Sequence, residues 1–198
     1  MRIIGGEYRS RLIEMPKGAE IRPTQDRVRE AVFNLITPRM NGATVLDLFA
    51  GSGAFGIESI SRGAVRAIFV ENNSKCLETI QANLDSLDIP EACYEVVRAN
   101  ALSVFGRLAQ AGERFDIIFL DPPYYRDMAR KCLISIDSYD ILTPNSLVVI
   151  EHFKKDLLTF DLKQLVFEKE RRYGDTIISI YRKINDNEDE DRDIPRHI

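Results

Sequence analysis

The chain is poor in the residues that disulfide and metal chemistry use. Its 198 residues include three cysteines (Cys76, Cys93 and Cys132) and two histidines (His152 and His197). The cysteines are odd in number, far apart and without C-x-x-C spacing. That excludes a disulfide framework and a cysteine zinc site, and it predicts three reduced thiols in a cytoplasmic protein. Two histidines make no histidine-rich centre, so no metal is expected. No apolar run approaches the ~20 residues that span a bilayer. Met1 to Gly6 carries no signal-peptide core, so no membrane partner is expected either.

A surplus of one charge is missing too. Lys and Arg number 27 against 31 Asp and Glu, for a formal net charge of −4. An apolar share of 44% and a charged share of 29% are ordinary for a soluble globular protein. The length suits one domain with an appendage, since even ~150 residues hide roughly 70% of their unfolded surface. A balanced total offers no global field to steer a polyanion. The distribution is less even. Residues 185–198 hold six acids and two bases, which accounts for the whole net charge, whereas residues 1–39 hold eight bases and five acids.

The pattern along the chain divides it into an N-terminal extension (1–40), a catalytic-type α/β domain (41–184) and an acidic tail (185–198) expected to be disordered. Residues 2–13 read as a short hairpin, with Gly5-Gly6 marking a turn or bulge. A helix starts at Thr24 or Asp26, buries Val28, Ala31, Val32, Leu35 and Ile36, and ends by Pro38 and Gly42. Strands and helices then alternate. The strands are Thr44 to Phe49, Ala67 to Glu71, Tyr94 to Ala99, Phe115 to Leu120 and Leu147 to Ile150. The helices are Phe55 to Arg62, Ser74 to Leu87, Leu102 to Ala111 and Met128 to Ile136. Continuous apolar strands separated by helices imply a parallel sheet covered on both faces. Leu165 to Arg171 and Thr176 to Arg182 flank Tyr173-Gly174-Asp175 and predict an antiparallel hairpin at one edge.

Gly51-Ser52-Gly53-Ala54-Phe55-Gly56 is G-x-G-x-x-G between a strand and a helix, and Glu71 ends the next strand at the spacing of a ribose-binding acid. The arrangement points to an adenosine-containing ligand. A pyrophosphate cofactor would sit on the helix N-terminus. S-adenosylmethionine instead carries an ammonium and a sulfonium. Asp47, four residues before Gly51, would repel the first and attract the second; alternatively it caps loop amides.

Asp121-Pro122-Pro123-Tyr124 follows the fourth strand, where open parallel sheets bind ligands. The prolines stiffen the turn and lack N–H groups, so the Asp121 carboxylate and the Pro122 carbonyl form an acceptor edge. Such an edge suits an amino group with two hydrogens to give. Accepting both would concentrate the nitrogen lone pair for attack on an electrophilic methyl group. Tyr124 offers a flat face for stacking a base. A rigid strand-to-helix turn capped by Asp121 is the structural alternative.

Arg2-Ile3-Ile4-Gly5-Gly6, Arg22-Pro23-Thr24, Asp26-Arg27-Val28-Arg29-Glu30, Asp47 to Gly53, Glu71, Asn100-Ala101 and Asp121 to Tyr124 together resemble the bacterial 16S rRNA guanine-N2 methyltransferase family. The glycine loop and D-P-P-Y are shared by many amino-group methyltransferases, and the two N-terminal arginine motifs single out this family. The resemblance implies a Rossmann-like fold with a seven-stranded, mostly parallel sheet, S-adenosyl-L-methionine as cofactor, and 16S rRNA or the small ribosomal subunit as partner. It implies that Asp47 and Gly51, Ser52 and Gly53 hold the methionine part of the cofactor and that Glu71 binds the ribose; Phe49, Ala50, Asn72 and Asp121 are further cofactor-binding candidates, with a core position as the alternative for Phe49. It further implies that Asn100 and Ala101 lie at the adenine, and that Asp121, Pro122 and Tyr124 handle the guanine, its N2 being the methyl acceptor. Arg2, Arg9, Arg11, Arg22, Arg27 and Arg29 are candidates for RNA-phosphate contact. Arg27 and Arg29 cannot share one helix face, and Arg22 could instead pair with a carboxylate. His152 reads as structural.

D-P-P-Y alone also admits DNA adenine or a protein amide as acceptor. The glycine loop alone admits a nucleotide-dependent oxidoreductase, and the arginine motifs alone a non-catalytic RNA-binding assembly factor. Only the combination of motifs favours an rRNA methyltransferase.

Overall fold

The structure is a computed structural model, and it describes residues 1–18, 26–123, 127–156, 158 and 160–184. After α1 (Asp26–Ile36) and a short 3-10 turn (Thr37–Arg39), strands and helices alternate: β1 (Thr44–Leu48), α2 (Ala54–Ser61), β2 (Arg66–Glu71), α3 (Ser74–Ser86), β3 (Tyr94–Arg98), α4 (Ala101–Gln110), β4 (Phe115–Leu120), α5 (Met128–Ser138) and β5 (Leu142–Phe153). β6 (Leu165–Tyr173) and β7 (Thr176–Lys183) close the chain as a hairpin. The seven strands lie in the order β3-β2-β1-β4-β5-β7-β6. The first five run parallel, and β7 enters antiparallel between β5 and β6. The expected α/β architecture is present, including the antiparallel hairpin. The acidic tail, Thr24, Arg22 and Tyr124 lie outside the described residues.

The central strands β1, β2 and β4 are apolar on both faces because helices cover both. Val45, Ile117 and Phe119 face one core with Phe33, Ile57, Ile80 and Leu84. Leu46, Leu48, Ile118 and Leu120 face the other with Phe105, Leu108, Leu133 and Ile136. The alternation follows the two-residue period of a strand. On the first face Phe33, Phe55 and Phe119 form a triangle with ring centroids 4.8–6.0 Å apart. Each such aromatic contact adds ~0.5–1.5 kcal/mol beyond its buried area. The fifth strand begins earlier than the expected Leu147. Phe115 pairs with Leu142 but Ile117 with Leu147, and Pro144 and Asn145 (φ 62°) stand in the offset. Neither residue belongs to an apolar run, so the start of this strand has no hydrophobic signature.

The N-terminal hairpin exists, with Arg2 bridging Leu12 and Ile3 N–H donating to Arg11 O at 3.0 Å. It is docked mainly through polar groups of α2. Glu58, 1% exposed, accepts the Ile4 and Gly5 N–H groups at 2.8 Å each and pairs with Arg62 at 2.7 Å. Arg29 Nε lies 4.0 Å from the same carboxylate, and its guanidinium contacts the Arg2 carbonyl and the Met1 sulfur. The turn passes so close to the end of α2 that a Cβ on Gly6 (φ 77°) would fall 1.6 Å from the Ser61 carbonyl oxygen. Only glycine fits there. The Arg62 guanidinium also lies over the Phe33 ring, 4.9 Å from its centroid, joining the ion cluster to the aromatic triangle.

Removing one member of a buried ion cluster strands the others without water. Glu58→Gln is therefore expected to lower stability by about 3–5 kcal/mol in urea unfolding. Glu113→Gln, which breaks the half-exposed pair with Arg66 at 2.8 Å, is expected to cost less than ~1 kcal/mol. Equal effects would contradict this account of the cluster.

Candidate functional site

The sheet reverses its winding between β1 and β4, which pair in parallel up to Leu48 and Leu120. One residue further, the chain leaves β1 at Phe49 and β4 at Asp121, so the glycine loop and the D-P-P turn start side by side. This is where an open parallel sheet leaves a crevice.

The loop is built by satisfying its own amides. Phe49 has φ 65°, a left-handed conformation that is strained for a bulky side chain. Ala50 N–H then donates to Val70 O at 3.1 Å, and Gly53 N–H to Ala50 O at 2.7 Å. Gly51 and Gly53 have φ 57° and 79°, and Gly53 starts α2 without a side-chain cap. Two carboxylates take the remaining work. Glu71 Oε2 accepts Gly51 N–H at 3.0 Å, while Oε1 accepts the N–H groups of Asn72 and Asn73 at 2.8 and 2.9 Å. A carboxylate has about four lone-pair directions, so one remains for a ligand hydroxyl. Asp47 Oδ2 accepts Gly56 N–H at 2.9 Å. The amide-capping alternative for Asp47 is therefore present in the structure. Gly56 itself must be small, because a Cβ there would meet the Phe69 ring at 2.2 Å.

Asp47 is 3% exposed. Burial pushes its carboxyl up to about 8; the Gly56 N–H opposes that rise and the charge of Glu71 adds to it. No cationic side chain belongs to residues 47–53 or 71–72. The donor set is therefore one that a cationic group would complement and a pyrophosphate would not.

The other expected residues are placed as follows. Asn100 is exposed and caps α4, its Oδ1 accepting Leu102 N–H at 2.9 Å, and Ala101 behind it is buried. Asn72 is exposed, Ser52 is buried and Asp121 is half-buried beside a buried Pro122. Arg2, Arg9, Arg11 and Arg27 lie at the surface. Arg2 donates to Ser10 O at 3.0 Å and Arg11 to Ser86 O at 2.7 Å. Arg29 does not belong with them. It is 1% exposed, because positions 29, 32, 33 and 36 form the buried stripe of α1, and it serves the Glu58 cluster instead of an RNA surface. His152 is buried with Nε2 2.9 Å from Ser179 Oγ, in keeping with a structural role. Burial pushes the thiols of Cys76 and Cys132 up to about 11 and about 12.

Two polar residues that hold this region are not among the expected ones. Glu58 ties the N-terminal hairpin to α2. Asn83, 1% exposed, joins α3 to both the glycine loop and the N-terminal segment. The available signal was position. Asn83 lies with Ile80, Leu84 and Leu87 on the apolar stripe of its helix, and Glu58 sits inside the run Phe55 to Ile60.

The family described as Conserved hypothetical protein 95 matches residues 1–182. A Bacillus subtilis protein named "Putative rRNA methyltransferase YlbH" is 37% identical over 183 residues, covering 92% of this chain and 99% of its own. "Ribosomal RNA small subunit methyltransferase D" of Escherichia coli is 38% identical over 151 residues, covering 76% of this chain and 74% of its own. Among solved structures, an E. coli protein described as "Putative methyltransferase yhhF" superposes with a TM-score of 0.81 at 33% identity, covering 92% of this chain and 97% of its own.

The Asp47 carboxyl fixes a pH dependence. Its folded pKa of about 8 stands above the ordinary 3.8, so the stability that the neutral form contributes is full below about pH 3.8. It declines as pH rises and is lost by about pH 8. Asp47→Asn keeps an acceptor for Gly56 N–H and cannot ionise. Urea unfolding across pH 4–9 is expected to give the variant a flatter stability profile than the wild type; parallel profiles would refute the assignment.

Proposed function

The chain belongs to the family described as Conserved hypothetical protein 95, and from that membership and the site we propose that it is an S-adenosylmethionine-dependent methyltransferase of ribosomal RNA, with guanine N2 in 16S rRNA as methyl acceptor. The observation that carries the reading is the pairing at the switch point: a carboxylate-braced glycine loop leaves β1 beside an Asp-Pro turn leaving β4. Relatives named as rRNA methyltransferases, at 37% and 38% identity, support the substrate class.

The donor set fits the cofactor. Asp47 would take the ammonium group, and the remaining lone-pair direction of Glu71 suits a ribose hydroxyl. Asn72, Asn100 and Ala101, at the ends of β2 and β3, would flank ribose and adenine, and Phe49, Ala50 and Ser52 would line the methionine part. When bound, the cofactor supplies an electrophilic methyl group on a positively charged sulfur.

The chain's own groups then act on the base. The Asp121 carboxylate and the Pro122 carbonyl accept the two N–H groups of the exocyclic amine, which draws its lone pair out of conjugation and aims it. Asp121 would also accept the proton that the nitrogen sheds after alkylation. Tyr124 would stack on the guanine, and a base within RNA must be splayed or flipped to reach it. Arg2, Arg9, Arg11, Arg22 and Arg27 would meet RNA phosphates and set register rather than sequence.

The test is methyl transfer from labelled S-adenosylmethionine to small subunits and to naked 16S rRNA, with mass spectrometry of the nucleosides. N2-methylguanosine is the expected product; no transfer to either substrate by folded, cofactor-bound protein would overturn the proposal. Asp121→Ala is expected to lower turnover by about 10²-fold or more with cofactor binding unchanged in calorimetry. Full turnover by this variant would refute the role given to Asp121.

A further inference from the structure

One side-chain amide touches two segments distant in sequence. Asn83 Oδ1 accepts Glu14 N–H at 2.7 Å, and Nδ2 donates to Glu14 O at 3.1 Å and to Ser52 O at 2.9 Å. The partners fix the amide's orientation, since exchanging O and N would set donor against donor and carbonyl against oxygen. Both backbone groups of Glu14 are thereby paired as a strand neighbour would pair them, and the second amide hydrogen holds the middle residue of Gly51-Ser52-Gly53. Asn83 is buried, so water cannot replace these bonds if they are lost. The N-terminal segment has further anchors nearby, at Ser86 O through Arg11 and at Ser61 through Tyr8 N–H, 3.0 Å from its Oγ. Among the described residues that anchor this segment, Asn83 alone bonds to the glycine loop as well.

We propose that Asn83 is a positioning residue for the cofactor: it sets the Ser52 peptide, and with it the glycine loop, from the N-terminal segment through Glu14. The inference rests on the reading of this loop as the S-adenosylmethionine site. The loop amides and carbonyls are paired with groups of the fold itself, so those groups meet part of the ordering cost of binding. Loss of the bond to Ser52 therefore acts on cofactor affinity and leaves the acceptor edge at Asp121 and Pro122 in place.

The experiment is calorimetric titration of the full chain with S-adenosylhomocysteine, together with steady-state kinetics on rRNA. Asn83→Ala removes all three bonds. Asn83→Asp keeps the acceptor for Glu14 N–H and turns oxygen toward the Glu14 and Ser52 carbonyls. Both are expected to bind about tenfold more weakly or worse, with KM for the cofactor rising by a similar factor and kcat within about twofold. Leu84→Val, a buried truncation next in the helix, is expected to lower the melting temperature and keep wild-type affinity. Hydrogen exchange on the wild type gives a measure free of folding effects, in which saturation with S-adenosylhomocysteine slows exchange of the Glu14 amide. Unchanged affinity in both Asn83 variants, equal weakening in Leu84→Val, or no change at the Glu14 amide would each overturn the proposal. A wild-type chain that binds no S-adenosylhomocysteine would instead overturn the functional reading, and this inference with it.

Discussion

A loop that leaves the centre of a buried parallel sheet must satisfy its backbone N–H groups where few partners are at hand. Here two carboxylates do so. Glu71 takes Gly51 N–H and the first amides after β2, and Asp47 takes Gly56 N–H inside α2. Much else in the crevice follows from that arrangement. It fixes the loop, gives the crevice acceptors without cations, and holds one carboxyl so deep that burial raises its pKa well above the ordinary carboxylate value. A site assembled from acceptors selects for ligands that bring positive charge or hydroxyl hydrogens.

The N-terminal segment is tied to α2 and, through Asn83, to the same loop by groups that are polar and buried. Ile3 and Ile13 contribute to the core, but the register of the segment is set by Glu58, Ser61 and Asn83, each bonded to named backbone atoms. Apolar contacts tolerate sliding, whereas a bond to one N–H does not. The arginine-bearing surface therefore stands at a defined place relative to the glycine loop. One of its arginines, Arg29, is taken out of that surface to balance the Glu58 carboxylate.

The sheet was legible in the sequence where strands carry unbroken apolar runs, as in Ile117–Leu120, and the crevice was legible because glycine spacing and an Asp-Pro turn carry their own geometry. What was hidden is how acceptors are shared. The sequence marks Glu71 as a ligand-type acid and cannot show that three backbone amides already occupy it. Charge drew Arg27 and Arg29 into one class, although helical position separates them. Asn83 gives no signal in the sequence because an isolated amide on an apolar stripe carries no motif. Start points were hidden where Pro144 and Asn145 interrupt the apolar pattern of β5.

The placement of β7 between β5 and β6 bears on how the molecule is made. The hydrogen-bonding edge of β5 is closed by residues 176–183, near the last part of the sheet to be synthesised. Until those residues arrive, a strand with its stretch from Leu147 to Phe153 buried in the finished fold presents an open edge, the form of surface most prone to pairing with another chain. The strands that carry the glycine loop and the Asp-Pro turn, β1 and β4, have already been synthesised by then. The final hairpin thus seals a sheet whose crevice-bearing strands were made earlier, and β6, lined with Glu168, Lys169, Arg171 and Arg172, leaves the molecule with a charged outer border in place of an adhesive one.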